Sequence, residues 1–501
     1  MRRTRSVLAA TLAMGLLAAC GTQVDSATRR QLAAQQLLQT GGTSNTGSVT
    51  GSVEPTTAVT VPSDGGVLPT IPTGTGGGQT GTPTTGSGKT NSGKPTNTGS
   101  TSAPSGSNST VPVGVGAPVP AGGNGGSTDV GVTADQILLG NVSDLSGPQP
   151  GLFQSAVNGT NAYIAYINSL GGIYGRQLKI DVADSQTSCE SDRNGTEELI
   201  GKVFAFAGSA SLDDECGATV LATHKTVPDA HLAVTPQANA LPNNFSVNPI
   251  GTKINNGTFE WAAGHFGASV VQHTGFLYAN LPAVNNVANL SIRGGESAGW
   301  KFVSHQSVSP TATDFTAQII QMRQAGVKLF YTLFDAQELA EFVRNANQQN
   351  FHPFIDAPLA YDQTFFTQLG NASLANGIFG FNAETLFFSK SDAGIPEVAL
   401  FQKWYGAVTG NGPADTFAAN AWAETALLVQ AMAAAGPDLT RVKVLAALGK
   451  IHSFDDNGFY AKSDPADKGE GNCYVVWEIK NGEYVRVDDP GLGYRCNGRE
   501  V

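Results

Sequence analysis

The fold class of this chain is decided by residues 135–186, which read DQILLGNVSDLSGPQPGLFQSAVNGTNAYIAYINSLGGIYGRQLKIDVADSQ. The first part, DQILLGN, has the apolar run ILL at its centre and predicts a buried strand that leads into a Ser-Gly-Pro loop. QSAVNGTNAYIAYINSL then repeats apolar residues at helical spacing, and Gly171 and Gly172 end the helix. YGRQLKIDVADSQ alternates like a strand. Strand, helix and strand in short succession predict a parallel sheet covered by helices.

The same alternation continues along the chain in two series. In the first, the strands VFAFAGSAS and AHLAVTPQA alternate with the helices RNGTEELIG and ATVLATHKT. In the second, a helix at residues 258–266 precedes the strand TGFLYAN. The capped helix PTATDFTAQIIQMRQAG, which ends at Gly326, precedes the strand VKLFYTLF. Helices at 396–409 and 416–435 follow, and a hairpin turns at Asn481-Gly482. The predicted fold class is α/β, with two units in series.

Composition separates the first part of the 501-residue chain from the rest. Most of the segment 21–127 is Gly, Ser, Thr, Pro and Asn, with few large apolar side chains. Such a segment cannot bury enough surface to offset its ordering entropy, so we predict a disordered, flexible tether there. The net charge of −11 and the isoelectric point near 5.1 argue against a nucleic-acid partner.

The N-terminus has the pattern of an export signal. Arg2, Arg3 and Arg5 precede a short apolar run and the sequence LLAAC, which ends at Cys20. This predicts a signal peptide over residues 1–20, too short to span a membrane. LLAAC also resembles a bacterial lipoprotein lipobox, which implies lipidation of Cys20 and an extracytoplasmic protein anchored to the bacterial cell membrane. Ordinary signal cleavage beside an incidental cysteine is the alternative.

Four cysteines remain beyond Cys20, and they fall into two pairs of near neighbours. Of the three possible pairings we predict the disulfides Cys189–Cys216 and Cys473–Cys496. A zinc site is the rival interpretation, but the sequence has no C-x-x-C spacing and no histidine cluster near these residues. Disulfides agree with the predicted export.

Three long segments carry a resemblance to a known family: GVTADQILLGNVSDLSGP, AYINSLGGIYGRQLKIDVAD and TDFTAQIIQMRQAGVKLFY. From about Val130 onward the chain resembles the type I solute-binding proteins of ABC importers, in the leucine/isoleucine/valine-binding group. Cys189 and Cys216 also lie where this family places a disulfide.

The resemblance implies two Rossmann-like lobes joined by a three-strand hinge, the type I periplasmic-binding-protein fold. Lobe 1 would comprise residues 128–250 and 383–455, and lobe 2 residues 251–382 and 456–501. A small-molecule ligand would be held in the cleft between the lobes and delivered to the membrane subunits of an ABC importer. A ligand-sensing receptor of the same fold is the alternative, which the sequence does not distinguish. No enzyme activity, catalytic residue, cofactor or metal is predicted.

One short motif favours an enzyme instead. The segment from Gly295 to Gly299 reads GESAG, a match to the nucleophile elbow of serine esterases. An elbow needs a strand before Ser297 and a helix after it. In the family's register the order is reversed, so we expect Ser297 near the end of a surface helix, and an esterase is the disfavoured alternative.

Candidate ligand-binding residues follow from the family's register and from loop positions after strands. Gly217 stands where the family commonly has a serine that binds the ligand's carboxylate, and its N–H remains a donor. Asp335 either contacts the ligand or caps the helix that starts at Ala336. Aromatic candidates have core packing as their alternative. The candidates are Phe153, Gly217, Ala218, Thr235, Asn239, Tyr278, Asn280, Phe334, Asp335 and Tyr361.

The family's two acidic partners for a ligand ammonium are absent in this register. Lys253 stands where the family has Asp, and Leu359 where it has Glu. A buried ammonium without a partner would lose several kcal/mol. We therefore expect a ligand other than a plain α-amino acid, namely a carboxylate, an amide or another small polar molecule with an apolar body.

Overall fold

The computed structural model describes residues 111–469, 471–488 and 493–501. The predicted signal peptide, the lipidation of Cys20 and the predicted tether as far as residue 110 lie outside the described residues. In the ranges that are described, no helix is both long and apolar enough to cross a membrane. These residues form two lobes, each around its own sheet, as predicted.

The first lobe alternates strands and helices around a parallel sheet. Its elements are β1 (Gln136–Ser143), α1 (Gln154–Ser169), β2 (Gln177–Asp184), α2 (Cys189–Ile200), β3 (Ala205–Ala207), α3 (Asp214–Leu221), β4 (Asp229–Ala230) and α4 (Pro236–Asn239). The sheet order is β2-β1-β3-β4, and every pairing is parallel. Most of β1 is buried, as the apolar run that opens the sequence predicts.

Two glycines end α1 as predicted. Gly171 and Gly172 both have positive φ, 108° and 76°. A Cβ at Gly172 would lie 1.9 Å from the carbonyl oxygen of Arg176, so only glycine fits the turn into β2.

The predicted strand AHLAVTPQA is mostly a loop. Only Asp229–Ala230 pairs with β3, and the chain then turns toward the second lobe. Thr235 caps α4, with its Oγ1 accepting from the N–H of Ala238, and Pro236 occupies the first helical position. The N–H of Val234 donates to Asp214 Oδ2 and not to a neighbouring strand, and Pro236 has no N–H to donate, so the strand prediction was too long.

The second lobe contains a seven-stranded sheet. Its elements are α5 (Gly257–Phe266), α6 (Ala268–Val271), β5 (Thr274–Ala279), α7 (Pro282–Ser297), β6 (Phe302–Val308), α8 (Thr316–Gln324), β7 (Leu329–Thr332), α9 (Ala336–Gln348), β8 (Phe354–Asp356), α10 (Thr364–Leu369), β9 (Ile378–Asn382), β10 (Val475–Lys480) and β11 (Glu483–Arg486). The order is β11-β10-β9-β8-β7-β5-β6, parallel except at β10. The predicted hairpin turn at Asn481-Gly482 is confirmed, and both residues have positive φ.

Three further helices return to the first lobe: α11 (Pro396–Thr409), α12 (Thr416–Ala435) and α13 (Arg441–Leu448). The first two have the predicted bounds. Trp422 of α12 packs against Tyr163 and Tyr166 of α1, with ring centroids 4.8 and 6.2 Å apart. The chain therefore passes between the lobes three times: after β4, after β9 and before β10.

The described chain begins to pack onto the first lobe inside the segment predicted as tether. Val115 forms a β-bridge with Ile173, and Asn124 is buried. The buried guanidinium of Arg176 donates to the carbonyl oxygens of Asn124 and Gly126. Residues 115–126 thus have specific partners in the lobe despite their low apolar content.

Candidate functional site

A cavity of about 330 Å³ lies between the lobes at the three chain crossings. This volume is at the lower end of the range of roughly 300–1,000 Å³ for small-molecule sites. The crossing segments contribute Asn248, Pro249, Ile250, Lys253, Ile254, Asn255, Phe381, Asn382, Ala383, Glu384, Tyr460, Asn472 and Tyr474. Side chains of α7 and α12 and of loops in both lobes also line it.

Apolar side chains from both lobes form most of the walls. Phe153, Leu212 and Val234 of the first lobe share one apolar cluster with Ala283 of α7 in the second lobe. The ring of Phe153 also meets Phe417 edge to face, with centroids 4.8 Å apart. Apolar side chains of the two lobes are thus in contact beside the cavity, which favours a ligand with an apolar body.

The lining includes five polar side chains that we call the polar cluster: Asn382, Glu384, Thr416, Asn420 and Tyr460. Thr416 donates its hydroxyl to Glu384 Oε1. Asn420 lies one turn further along α12 and donates Nδ2 to the Tyr460 hydroxyl, 2.9 Å away. The backbones of Glu384 and Tyr460 form a β-bridge. Three separate stretches of chain are therefore needed to build the cluster.

Two amide nitrogens in the cavity lining have no hydrogen-bond partner among the described residues: Asn382 Nδ2 and Asn255 Nδ2. Asn382 Oδ1 accepts from the indole N–H of Trp477 at 2.9 Å, and Asn255 Oδ1 accepts from the backbone N–H of Gly257 at 2.9 Å. Because both partners only donate, the orientation of each amide is determined. A buried unpaired donor costs about 1–3 kcal/mol, so both nitrogens favour an accepting partner.

Glu384 is the carboxyl group inside the polar cluster, and it is only 2% exposed. Burial raises its pKa to about 7, the Thr416 hydroxyl opposes the rise, and the nearby charge of Asp415 adds to it. No ion pair of Glu384 with a basic side chain occurs among the described residues. Glu384 therefore exchanges its proton near neutral pH, and in the protonated form it can donate a hydrogen bond.

The two positions at which the family's acids are absent both line the cavity. Leu359 adds to the apolar wall, and Lys253 lies at an exposed edge with its Nζ 2.9 Å from Glu500 Oε2. The sequence comparison missed Glu384, because this carboxyl comes from the second crossing and not from the positions aligned with the family's acids.

Of the ten candidate ligand-binding residues, Phe153 lines this cavity. Phe334 and Tyr361 are wholly buried in aromatic clusters, as their core-packing alternative predicted. Asp335 caps α9 in a reciprocal capping box with Glu338. The remaining candidates also lie outside the lining, and their ligand contact stays a prediction: Gly217, Ala218, Thr235, Asn239, Tyr278 and Asn280.

Gly217 and Ala218 border a smaller buried cluster of charged groups. The N–H of Gly217 donates to Asp192 Oδ1 at 2.5 Å. His231 Nδ1 lies 2.7 Å from Asp229 Oδ1, and its Nε2 lies 3.7 Å from Asp214 Oδ2. Burial alone would lower the pKa of His231, but Asp229 and Asp214 outweigh it and raise that pKa well above the ordinary value.

This cluster positions one wall of the cavity. Asp214 Oδ2 accepts from the N–H of Val234 at 2.7 Å, and its other oxygen accepts from the Thr235 hydroxyl. Leu232 and Val234 of the same loop line the cavity. Thr235 therefore supports the cavity from behind.

Both predicted disulfides, Cys189–Cys216 and Cys473–Cys496, are present. Cys473 also belongs to the cavity lining. The second disulfide therefore ties the third crossing segment to the C-terminal residues beside the cavity.

Ser297 is the last residue of α7, as predicted, and a strand follows it. Its hydroxyl donates to the carbonyl oxygen of Gly294 and accepts from Asn256 Nδ2, both at 2.8 Å. Strand and helix thus stand in the opposite order to a nucleophile elbow, and these hydrogen bonds occupy the hydroxyl without a histidine.

One group of described side chains has a spacing that could suit a metal ion: His452, Asp464 and Asp467, with ligand atoms within 4.8 Å of one another. His452 Nδ1 lies 3.0 Å from Asp464 Oδ1 and 3.7 Å from Asp467 Oδ2. The hydrogen-bond contact between His452 Nδ1 and Asp464 accounts for this arrangement without an ion.

Residues 136–483 match the family model described as periplasmic binding protein. Among solved structures, a fatty acid ABC transporter substrate-binding protein from Thermomonospora curvata is 18% identical, with a TM-score of 0.61, covering 74% of this chain and 95% of its own. A leucine-binding protein from Thermotoga maritima is 16% identical, with a TM-score of 0.57, and the match covers 70% of this chain and 97% of that protein. A Streptococcus pneumoniae branched-chain amino acid transporter substrate-binding protein, solved with isoleucine, is 18% identical, with a TM-score of 0.56, covering 70% and 100%. No curated protein matches the sequence.

Proposed function

Because the chain belongs to the periplasmic binding protein family, we propose that it captures a small molecule outside the cytoplasm and delivers it to an ABC importer. The cavity between the lobes is the observation that carries this proposal, since it joins an apolar wall from each lobe to the polar cluster. Similar solved structures include substrate-binding proteins of ABC transporters, which supports the importer as the partner.

The cavity suits a ligand with an apolar body and a small polar head. Leu212, Val234 and Leu359 are among the apolar residues that would cover the body, while the polar cluster would receive the head. A carboxylate, an amide or an amino-acid-like compound belongs to this class. Burying the body removes apolar surface from water, which stabilises the complex by about 25 cal/mol per Å².

We also propose that lipidated Cys20 anchors the protein to the membrane, because LLAAC resembles a lipobox. The replacement Cys20→Ser should move the protein from the membrane fraction to the soluble fraction of its host. Retention of the variant in the membrane fraction would contradict lipid anchoring without affecting the proposed ligand site.

Thermal unfolding in the presence of a compound panel tests ligand capture. The panel holds amino acids, their deaminated acids, amides and sugars, and the protein is first refolded to remove bound solute. Val287→Trp introduces a large side chain into the lining from α7, and Val442→Trp is the control on the exposed surface of α13. A ligand at about 100 times its Kd should stabilise the native protein by about 2.7 kcal/mol.

The melting temperature should rise with one compound class for the wild type and Val442→Trp, but not for Val287→Trp. Equal rises in all three proteins would place the ligand outside the cavity. No rise with any class would contradict the proposed capture of such molecules.

A further inference from the structure

We propose that the head of the ligand is uncharged and carries an accepting oxygen, as in a carboxamide or a protonated carboxylic acid. This inference rests on the proposed function and specifies the chemistry that the cavity selects. Its basis is the set of hydrogen-bonding groups left without partners around the cavity.

The unpartnered groups include two donors with determined orientation, Asn382 Nδ2 and Asn255 Nδ2. Trp477 donates to the amide oxygen of Asn382, and Gly257 donates to that of Asn255. Neither amide can therefore turn to present an acceptor in place of its nitrogen. An ammonium has donors only and would leave both nitrogens unpaired. A carbonyl oxygen can accept from either of them.

The polar cluster also selects against a negative head. The titratable groups that interact with Glu384 are Asp415, Tyr460, Tyr361 and Tyr494, and none of them is a cation. Lys253 is the basic side chain of the lining in the described chain, and its Nζ pairs with Glu500 at the exposed edge. A carboxylate beside ionised Glu384 would therefore be repelled, and its desolvation would be poorly compensated.

A donor on the head completes the match. Asn420 leaves Oδ1 without a partner among the described residues while Nδ2 contacts the Tyr460 hydroxyl. A hydroxyl can donate or accept, so either orientation of this amide leaves one polar atom over. A carboxamide offers both an acceptor and two donors, and its N–H groups can also bind Glu384 when that carboxyl is ionised.

Isothermal titration with four compounds that share an eight-carbon body tests the proposal: octanamide, octanoate, octylamine and 2-aminooctanoate. Octanamide should bind at pH 6 and at pH 8, about tenfold or more tightly than octylamine and 2-aminooctanoate, because those heads leave buried groups unpaired or charged. Octanoate should bind more tightly at pH 6, where Glu384 is protonated, than at pH 8. Octylamine would show the opposite pH trend if an ammonium were the preferred head.

Two substitutions remove a donor and keep the acceptor that the protein itself uses. Asn382→Asp still accepts from Trp477, and Asn255→Asp still accepts from Gly257. Each should weaken octanamide binding by about tenfold. Asn347→Asp on the exposed face of α9 is the matched control and should have no effect.

The outcomes separate the inference from the proposed function. Tightest binding of octylamine or 2-aminooctanoate, or octanamide binding that both lining variants leave unchanged, would overturn the inference while ligand capture stands. Failure of all four compounds to bind would overturn both the inference and the proposed ligand capture for molecules of this class.

Discussion

Replacing Glu384 by glutamine should make the stability of the protein less sensitive to pH. Glu384 is 2% exposed, and its pKa of about 7 compares with an ordinary value of 4.5. Since the folded protein holds this proton more tightly than the unfolded chain, the free energy of unfolding falls as pH rises from about 4.5 to about 7. Above about pH 7 this contribution of Glu384 to the free energy of unfolding is lost completely. The gap between the two pKa values corresponds to about 3 kcal/mol.

Urea unfolding at pH 5 and pH 8 measures this effect. Glutamine can still accept the hydrogen bond from Thr416 and has no charge to bury. Between the two pH values, Glu384→Gln should gain about 2–3 kcal/mol relative to the wild type. Glu198→Gln is the control, because Glu198 is exposed in a surface pair with Lys202. If Glu384→Gln and the wild type lose stability in parallel, Glu384 does not titrate in the way described.

Three further substitutions test other parts of the structure. Burial raises the pKa of Asp192 to about 7, so the wild type loses stability between pH 5 and pH 8 as this carboxyl ionises. Asp192→Asn should lose less stability over the same pH range in urea unfolding. A pH dependence equal to that of the wild type would contradict this. Replacing Cys189 and Cys216 together by serine should lower the free energy of unfolding by about 3–4 kcal/mol, since the bond closes a loop with a sequence separation of 27. Equal denaturant midpoints would show that the bond contributes nothing. Ser297→Ala should leave any hydrolysis of a chromogenic ester unchanged, and a loss confined to this variant would revive the esterase alternative.

The features that the sequence predicts well are local ones. Helices α11 and α12 have their predicted bounds because start and stop signals flank them: Pro396 begins α11, Asp415 caps α12, and Gly410 and Gly436 follow their last residues. The turns at Gly172 and Asn481-Gly482 are predictable because they require positive φ. The neighbouring cysteines pair because the chain between them is short.

The site is less accessible to sequence reasoning because it joins distant parts of the chain. Asn382, Thr416 and Tyr460 come from three separate segments, and the apolar walls come from both lobes. Position after a strand does not determine which way a side chain points, so Phe334 packs into the core and Asp335 caps a helix. No local pattern distinguishes Glu384 from a surface glutamate, since its burial depends on α12 and on the third crossing.

Photoaffinity labelling locates the ligand most directly. The probe is octanamide with a diazirine on its alkyl chain, crosslinked to the purified protein and mapped by mass spectrometry. The account predicts modified residues from both lobes that line the cavity, on α7 in the second lobe and on the loop of Leu232 and Val234 in the first, with loss of labelling when unlabelled octanamide is added. Labelling confined to one lobe or to residues outside the lining, or labelling that excess octanamide does not reduce, would contradict ligand capture between the lobes.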